Sequence, residues 1–366
     1  MLNLKNPAAF FLGSSTSSGF ISHFKSTYNA QKNWHTYILK GSSGCGKSTL
    51  LQKICTRLQA ADINFNIAYC TLNPNSLDAV IIPSLKICVM DGTAPHVIEP
   101  DFIGITETLV DLGVAIDSKK LHKNKTEILA LFREKSRLMK RAENFIKVIA
   151  SFNNDIADLA RDSYDITKIS AFSAELVKQK IPPKKSLNKP IEQQCFLSSY
   201  TSQGHIFLGN TIGALANEII TIEDEFGIAS GINMGFIRTA ALAAGYDIIT
   251  CTCPLNPTKK IEHIILPELN LAFTTSNRWH KSINYTKRIH ARRFINAATL
   301  RLSKQKINFN RRCIKELSEN VTQILQNANN LHENLEKYYK NAIDFAIVDK
   351  ITEDLITQIS GFDKQA

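Results

Sequence analysis

The apolar positions of this chain follow two alternating patterns. Short continuous runs, such as Thr36-Tyr37-Ile38-Leu39 and Leu85-Lys86-Ile87-Cys88-Val89-Met90, have the length of buried strands. Longer stretches place apolar residues three and four positions apart. Ile314, Leu317, Val321, Ile324, Ala328, Leu331, Leu335 and Tyr338 form such a heptad seam. Ile128, Phe132, Met139, Ala142, Ile146, Ile149, Phe152, Ile156 and Leu159 nearly repeat it. Both stripes predict long helices that pack on their own domain or on its twin.

The order of strand-like runs, short helices and a long helix occurs twice. Phe11-Leu12-Gly13 recurs as Phe207-Leu208-Gly209, and Asn73-Pro74 as Asn256-Pro257. The Ile81–Leu85 run recurs as Ile265–Leu269, and Asp165 as Asp344. The offsets of 196, 183, 184 and 179 cluster near half of the 366 residues. A tandem duplication follows. Lys178 to Pro190 is basic and proline-broken, which reads as a linker or an exposed crossover. The expected layout is one domain over residues 1–177, a linker over 178–192 and a second domain over 193–366, each half carrying a long helical hairpin.

The first half carries a motif with chemistry. The strand ending at Leu39 leads into Gly41-Ser42-Ser43-Gly44-Cys45-Gly46-Lys47-Ser48-Thr49, which fits G-x-x-x-x-G-K-[ST]. Leu50, Leu51, Ile54 and Leu58 then give a helix its core-facing stripe. Such a loop turns backbone N–H groups and a helix N-terminus toward phosphate. Lys47 is expected to reach the β- and γ-phosphates, Ser48 to ligate magnesium, and Thr49 to lie near the α-phosphate. Asp91 closes the second apolar run, where a carboxylate is expected to complete the metal shell or else to start a turn. His96 is a candidate phosphate sensor or a bystander, and Glu99 and Asp101 are candidate bases or solvated surface acids. Cys45, at a helix N-terminus beside Lys47, is either a redox-sensitive thiol or an inert loop filler.

The second half lacks the motif. Aligning Gly231 with Gly46 puts Ile232 in place of the lysine and Asn233 in place of the serine. Glu223, Asp224 and Glu225 add negative charge there, and the strand from Leu269 ends in Thr274-Thr275-Ser276 without an acid. This half is expected to bind no nucleotide and to act as scaffold, partner site or regulator. Between Lys281 and Lys315 stand eleven bases and no acid. These basic helices suit nucleic acid or another acidic partner, or are a solvated face or one that meets the acidic 223–225 segment.

Composition narrows the class. With 44% hydrophobic and 21% charged residues the chain is neither collagen-like nor disordered as a whole. No apolar run reaches membrane-spanning length. Met1–Lys5 and the short apolar run after it read as a mature N-terminus rather than a secretion signal. The eight cysteines show no CxxC pair, and Cys251 and Cys253 would share a strand face. Reduced thiols in a cytoplasm are expected. The net charge of +11 favours anionic partners.

Phe11-Leu12-Gly13, the loop Gly41–Thr49, Cys70, Ser76–Pro83 and Asp91-Gly92-Thr93-Ala94-Pro95-His96 together resemble a family. It comprises uncharacterised bacterial ATPase-like proteins with two tandem P-loop NTPase domains. The resemblance implies α/β parallel-sheet domains that bind ATP with Mg2+. Members often keep a P-loop in both halves, from which this chain departs. No N-K-x-D guanine motif and no ABC-type signature is present. The leading expectation is an ATPase coupling nucleotide state to movement between its halves. A small-molecule or nucleotide kinase and a non-catalytic nucleotide-gated binding module are the alternatives. The oligomeric state is not encoded in any motif.

Overall fold

A computed structural model describes residues 7–27, 33–184, 189–281 and 284–362. Met1–Lys5 and residues 185–188 of the expected linker lie outside the described residues.

The first half runs β1 (Ala9–Phe10), β2 (Gly13–Thr16), β3 (Gly19–Ser22), β4 (His35–Lys40), α1 (Lys47–Ala60), β5 (Asn66–Tyr69), β6 (Leu77–Ile82), β7 (Ile87–Asp91), β8 (Glu107–Asp111), α2 (Ser118–His122), α3 (Lys125–Arg161) and α4 (Ile166–Lys180). The second runs β9 (Glu192–Cys195), β10 (Ser198–Thr201), β11 (Gly204–Phe207), α5 (Asn210–Leu215), β12 (Glu218–Glu223), α6 (Ile228–Ala243), β13 (Ile248–Thr252), β14 (Ile261–Leu266), β15 (Leu271–Ser276), β16 (Lys287–His290), α7 (Ala297–Leu302), α8 (Lys304–Lys340) and α9 (Phe345–Phe362).

Each half is built on a six-stranded sheet, in the order β1-β5-β6-β7-β4-β8 and the matching order β9-β13-β14-β15-β12-β16. The sheets are mixed, not parallel throughout as expected. β6 runs antiparallel to β5 and β7, and β14 to β13 and β15. The short turn Pro83–Lys86 joins β6 to β7, with Lys86 at φ 54°. So short a link makes a hairpin, because a parallel crossover needs a dozen or more residues. Pro267–Asn270 repeats this device, with Asn270 at φ 51°.

A local twofold relationship joins the halves. Phe11 and Phe196 exchange both backbone hydrogen bonds, each 2.9 Å, and the Ser14 and Ser199 hydroxyls meet at 2.7 Å. The counterpart of Phe11-Leu12 is therefore Phe196-Leu197. The Phe207-Leu208-Gly209 match is a coincidence of sequence, since Phe207 ends β11, the partner of β10.

Of the two expected arrangements, the long helices adopt packing on the twin half. α3 and α8 pack along each other, antiparallel: Lys135 meets His332 near one end, and Asn310 donates to Asp155 near the other. Each has 37 residues and spans about 55 Å, enough to carry the chain to the other half. α4 then completes the second core, where Leu176 packs with Ile220 and Ile237. α9 completes the first, where Val348, Leu355, Ile356 and Ile359 join Leu50, Leu51 and Ile54. Lys178–Lys180 of the expected linker are the last turn of α4.

Cys251 and Cys253 do not share a face. A bulge in β13 between Cys251 and Thr252 breaks the alternation. Cys251 sits in the core between the halves, 3.5 Å from Cys195, and Cys253 in the helical core. Among the described residues no helix is long and apolar enough to cross a membrane.

Candidate functional site

The loop Gly41–Gly46 joins β4 to α1. Buried Tyr37, Ile38 and Leu39 fix the strand and Leu50, Leu51 and Ile54 fix the helix, so the loop between them is held at both ends. Gly46 caps α1 in the left-handed region at φ 92°, with no side-chain cap bond. The N–H groups of the first helical turn are thus left for an external anion. The Ser42 hydroxyl is buried in the loop without a hydrogen-bond partner. Ser43 is half-buried and Thr49 is exposed.

Lys47 folds back over the loop and donates to the Gly41 carbonyl at 3.1 Å and the Ser42 carbonyl at 2.8 Å. Its ammonium is 3.7 Å from Asp91 Oδ2. Parallel pairing of β4 with β7 sets Leu39 opposite Asp91, which brings the carboxylate to the loop. Asp91 Oδ1 is held by the Thr93 N–H at 2.8 Å and hydroxyl at 2.6 Å. Ser48 Oγ accepts from the Leu77 N–H at 2.9 Å. A hydroxyl and a carboxylate oxygen are the hard donors that magnesium prefers, and the uncapped helix with its orphan hydroxyl fits phosphate. The residues present therefore fit both groups.

Cys45 is fully buried. Burial raises its thiol pKa, and the Lys47 charge opposes this only in part. The structure thus favours the inert reading of this cysteine. His96 is also buried, its Nε2 3.2 Å from Asp78 Oδ2 and its ring 4.6 Å from that of Phe24. Burial acts to lower its pKa, but the Asp78 carboxylate outweighs this and raises it. Glu99 and Asp101 are exposed and pair with Lys40 and Lys25.

Part of the site comes from the other half. A methyl group on Gly44 would lie 3.0 Å from the Glu336 carbonyl oxygen, and one on Gly46 3.3 Å from Val348. The end of α8 and the start of α9 thus cover the loop. Beside them Lys135 Nζ of α3 stands 3.3 Å from His332 Nδ1 of α8, and His332 Nε2 is 3.6 Å from Glu336. Lys135, His332 and Glu336 escaped the sequence reading, and Asp78 entered it only within the Ser76–Pro83 stretch, with no role of its own. On the helices their only signal is a polar position next to the apolar stripe, which most surface residues share.

The second half has a different loop in the same place. β12 ends at Glu223, and Gly227, at φ 76°, caps α6 as Gly46 caps α1. Gly227, not Gly231, is therefore the counterpart of Gly46; Gly231 and Asn233 lie inside the helix. Ile228 and Ala229 take the places of Lys47 and Ser48. The buried Asp224 carboxylate fills this loop, accepting from the Ser230 N–H at 2.9 Å, the Ser230 hydroxyl at 3.1 Å and the Tyr164 hydroxyl at 2.7 Å. Lys260 Cε would be 3.0 Å from a methyl on Gly227, and its ammonium is 3.1 Å from Glu262.

Glu262 and His280, 3.3 Å apart, repeat the Asp78–His96 pair. With His263 they bring one potential metal-ligand atom each within 4.8 Å of one another. Lys260 already supplies a cation to this cluster.

The basic segment meets acid from its own chain. Arg288 and His290 pair with Glu223 at 2.6 and 2.5 Å, and Arg311 with Glu225 at 2.9 Å. Arg293 lies over the Phe172 and Phe294 rings. No protein-family model, curated protein or solved structure matches this chain.

Proposed function

We propose that the chain is a magnesium-dependent ATP-binding protein of the P-loop type. In this reading it is an ATPase whose nucleotide state shifts one half against the other, akin to the tandem P-loop ATPase-like proteins it resembles. One observation carries the proposal. The Gly41–Gly46 loop links a strand to an uncapped helix, with Lys47 between the loop carbonyls and the Asp91 carboxylate of the neighbouring parallel strand.

In this reading Lys47 exchanges the two loop carbonyls for phosphate oxygens, which a cation binds more strongly than neutral acceptors. Ser48 and Asp91 would hold magnesium, which neutralises phosphate charge. Glu336 and Val348 lie against the loop glycines, and the Lys47 and Asp91 side chains are only 11% and 14% exposed. These contacts support coupling, because a ligand entering the loop presses on α8 and α9. The self-filled loop around Asp224 supports a second half that binds no nucleotide. Eight unpaired thiols fit a reducing cytoplasm.

The test is phosphate release with Mg-ATP by the wild type, Lys47→Ala and Asp91→Ala, after nucleotide binding is measured. Turnover in the wild type and its loss in both variants is expected. Tight binding without turnover would point instead to the binding module or, if an acceptor restores turnover, to the kinase. No binding would refute the phosphate-loop reading.

A further inference from the structure

The pairing of α3 with α8 brings basic groups from both halves to one loop. Lys135 and His332 are half-buried, and each is the other's neighbour at 3.3 Å. Glu336, one turn beyond His332, lies on Gly44. Burial lowers the Lys135 pKa, with Cys70 and the Glu336 carboxylate opposing it and the Lys47 charge adding to it. Burial and then Lys135 take His332 down to about 4, against the opposing Glu336 carboxylate. Gathering bases against mutual repulsion costs free energy that a bound polyanion offsets.

The two halves provide an internal control. α3 and α8 are equally long, so aligning their starts matches residues one to one. Lys135 then corresponds to Ile314, His332 to Asn153 and Glu336 to Ala157. At these three aligned positions the ionisable residues stand beside the Gly41–Gly46 loop, whereas the other end of the pair carries Asp155 and Arg311. The loop filled by Asp224 has uncharged residues in their place.

We propose that Lys135 and His332 form the terminal-phosphate subsite of a nucleoside triphosphate held by Lys47, one residue from each half. This rests on the phosphate-loop reading. It makes the third phosphate the group that ties α3 to α8, so a triphosphate and a diphosphate are distinguished by the helix pair.

The experiment measures binding of a fluorescent non-hydrolysable ATP analogue and the matching ADP analogue, with magnesium. The proteins are the full-length wild type, Lys135→Met, His332→Asn and Lys47→Ala. Lys135→Met and His332→Asn should each weaken the triphosphate at least tenfold and the diphosphate less than twofold. Lys47→Ala should weaken both. Unchanged triphosphate affinity in the helix variants, or equal loss for both ligands, would overturn the subsite while leaving the loop reading intact. Failure of the wild type to bind either analogue would remove both. If Lys135→Met does not fold, Lys135→Arg replaces it and must keep the triphosphate preference. Its loss with the fold intact counts against a charge-based subsite.

Discussion

The Tyr164 hydroxyl donates to Asp224 Oδ1 across 2.7 Å, which ties the turn after the first half's long helix to the loop of the second half. Asp224 is buried and also takes the Ser230 N–H and hydroxyl. A carboxylate of the chain thus occupies the place an anionic ligand would take. Tyr164→Phe removes one donor from a buried charge, which costs about 1–3 kcal/mol. Chemical denaturation should show that loss, and nucleotide affinity at the Gly41–Gly46 loop should stay the same. A variant as stable as the wild type would mean the bond contributes nothing.

The two acid–histidine pairs should titrate in opposite senses. Beside Asp78, His96 has a raised pKa. Its stabilisation is fully present below the unfolded value of about 6.5 and is lost as pH rises through the higher folded value. Burial opposes the charge on Glu262, yet His280, Lys260 and His263 prevail and lower its pKa to about 2. Its stabilisation is present above the unfolded value of about 4.5 and is lost as pH falls toward the folded one. Unfolding free energy measured from about pH 6 to about pH 9 should decline on the alkaline side, and His96→Gln should flatten that decline. Lys260→Met should cost about 3–5 kcal/mol near neutrality, because it strips a cation from a buried carboxylate. An unchanged alkaline slope in His96→Gln would exclude the first assignment.

Strand, loop and helix around Lys47 were legible because local rules fix them: an apolar run, glycines and an amphipathic stripe in fixed order. Asp91 was legible for the same reason. The destination of the terminal helices was not. The stripe of α9 shows that a face is buried, but Leu50 and Ile54 of one half and Ile220 and Ile237 of the other offer equally apolar cores. Gly227 was misplaced by four residues because a short loop with its own carboxylate keeps none of the motif. The antiparallel β6 depended on reading Pro83–Lys86 as a hairpin turn. Lys135 and His332 emerged only when the helix pairing brought together residues 197 positions apart.

The thiol of Cys45 should be slow to react. It is fully buried, and burial raises its pKa more than Lys47 lowers it. Little thiolate is then present at neutral pH, and thiolate is the nucleophile. Alkylation by iodoacetamide, followed by peptide mass spectrometry, should modify Cys45 only as fast as the protein opens, with or without Mg-nucleotide. Rapid labelling of the native protein that Mg-nucleotide blocks would restore the redox-sensitive reading.

The crossed helices make the first half depend on α9. Leu355 is buried among Leu50, Leu51 and Ile54, the residues that hold α1 behind the Gly41–Gly46 loop. Leu355→Ala leaves a cavity there and should cost about 2–5 kcal/mol. The same loss should appear in the first half, although residue 355 belongs to the second by sequence. Hydrogen exchange can separate the two outcomes. Amides of α1 and β4 should lose protection in Leu355→Ala, while those of α6 and β12, covered by α4, keep theirs. Lost protection confined to the second sheet would contradict the swap. Removing the chain from Phe345 onward should go further, exposing the apolar face of α1 and abolishing nucleotide binding with Lys47 and Asp91 intact, because the helix that presents the loop has lost its support.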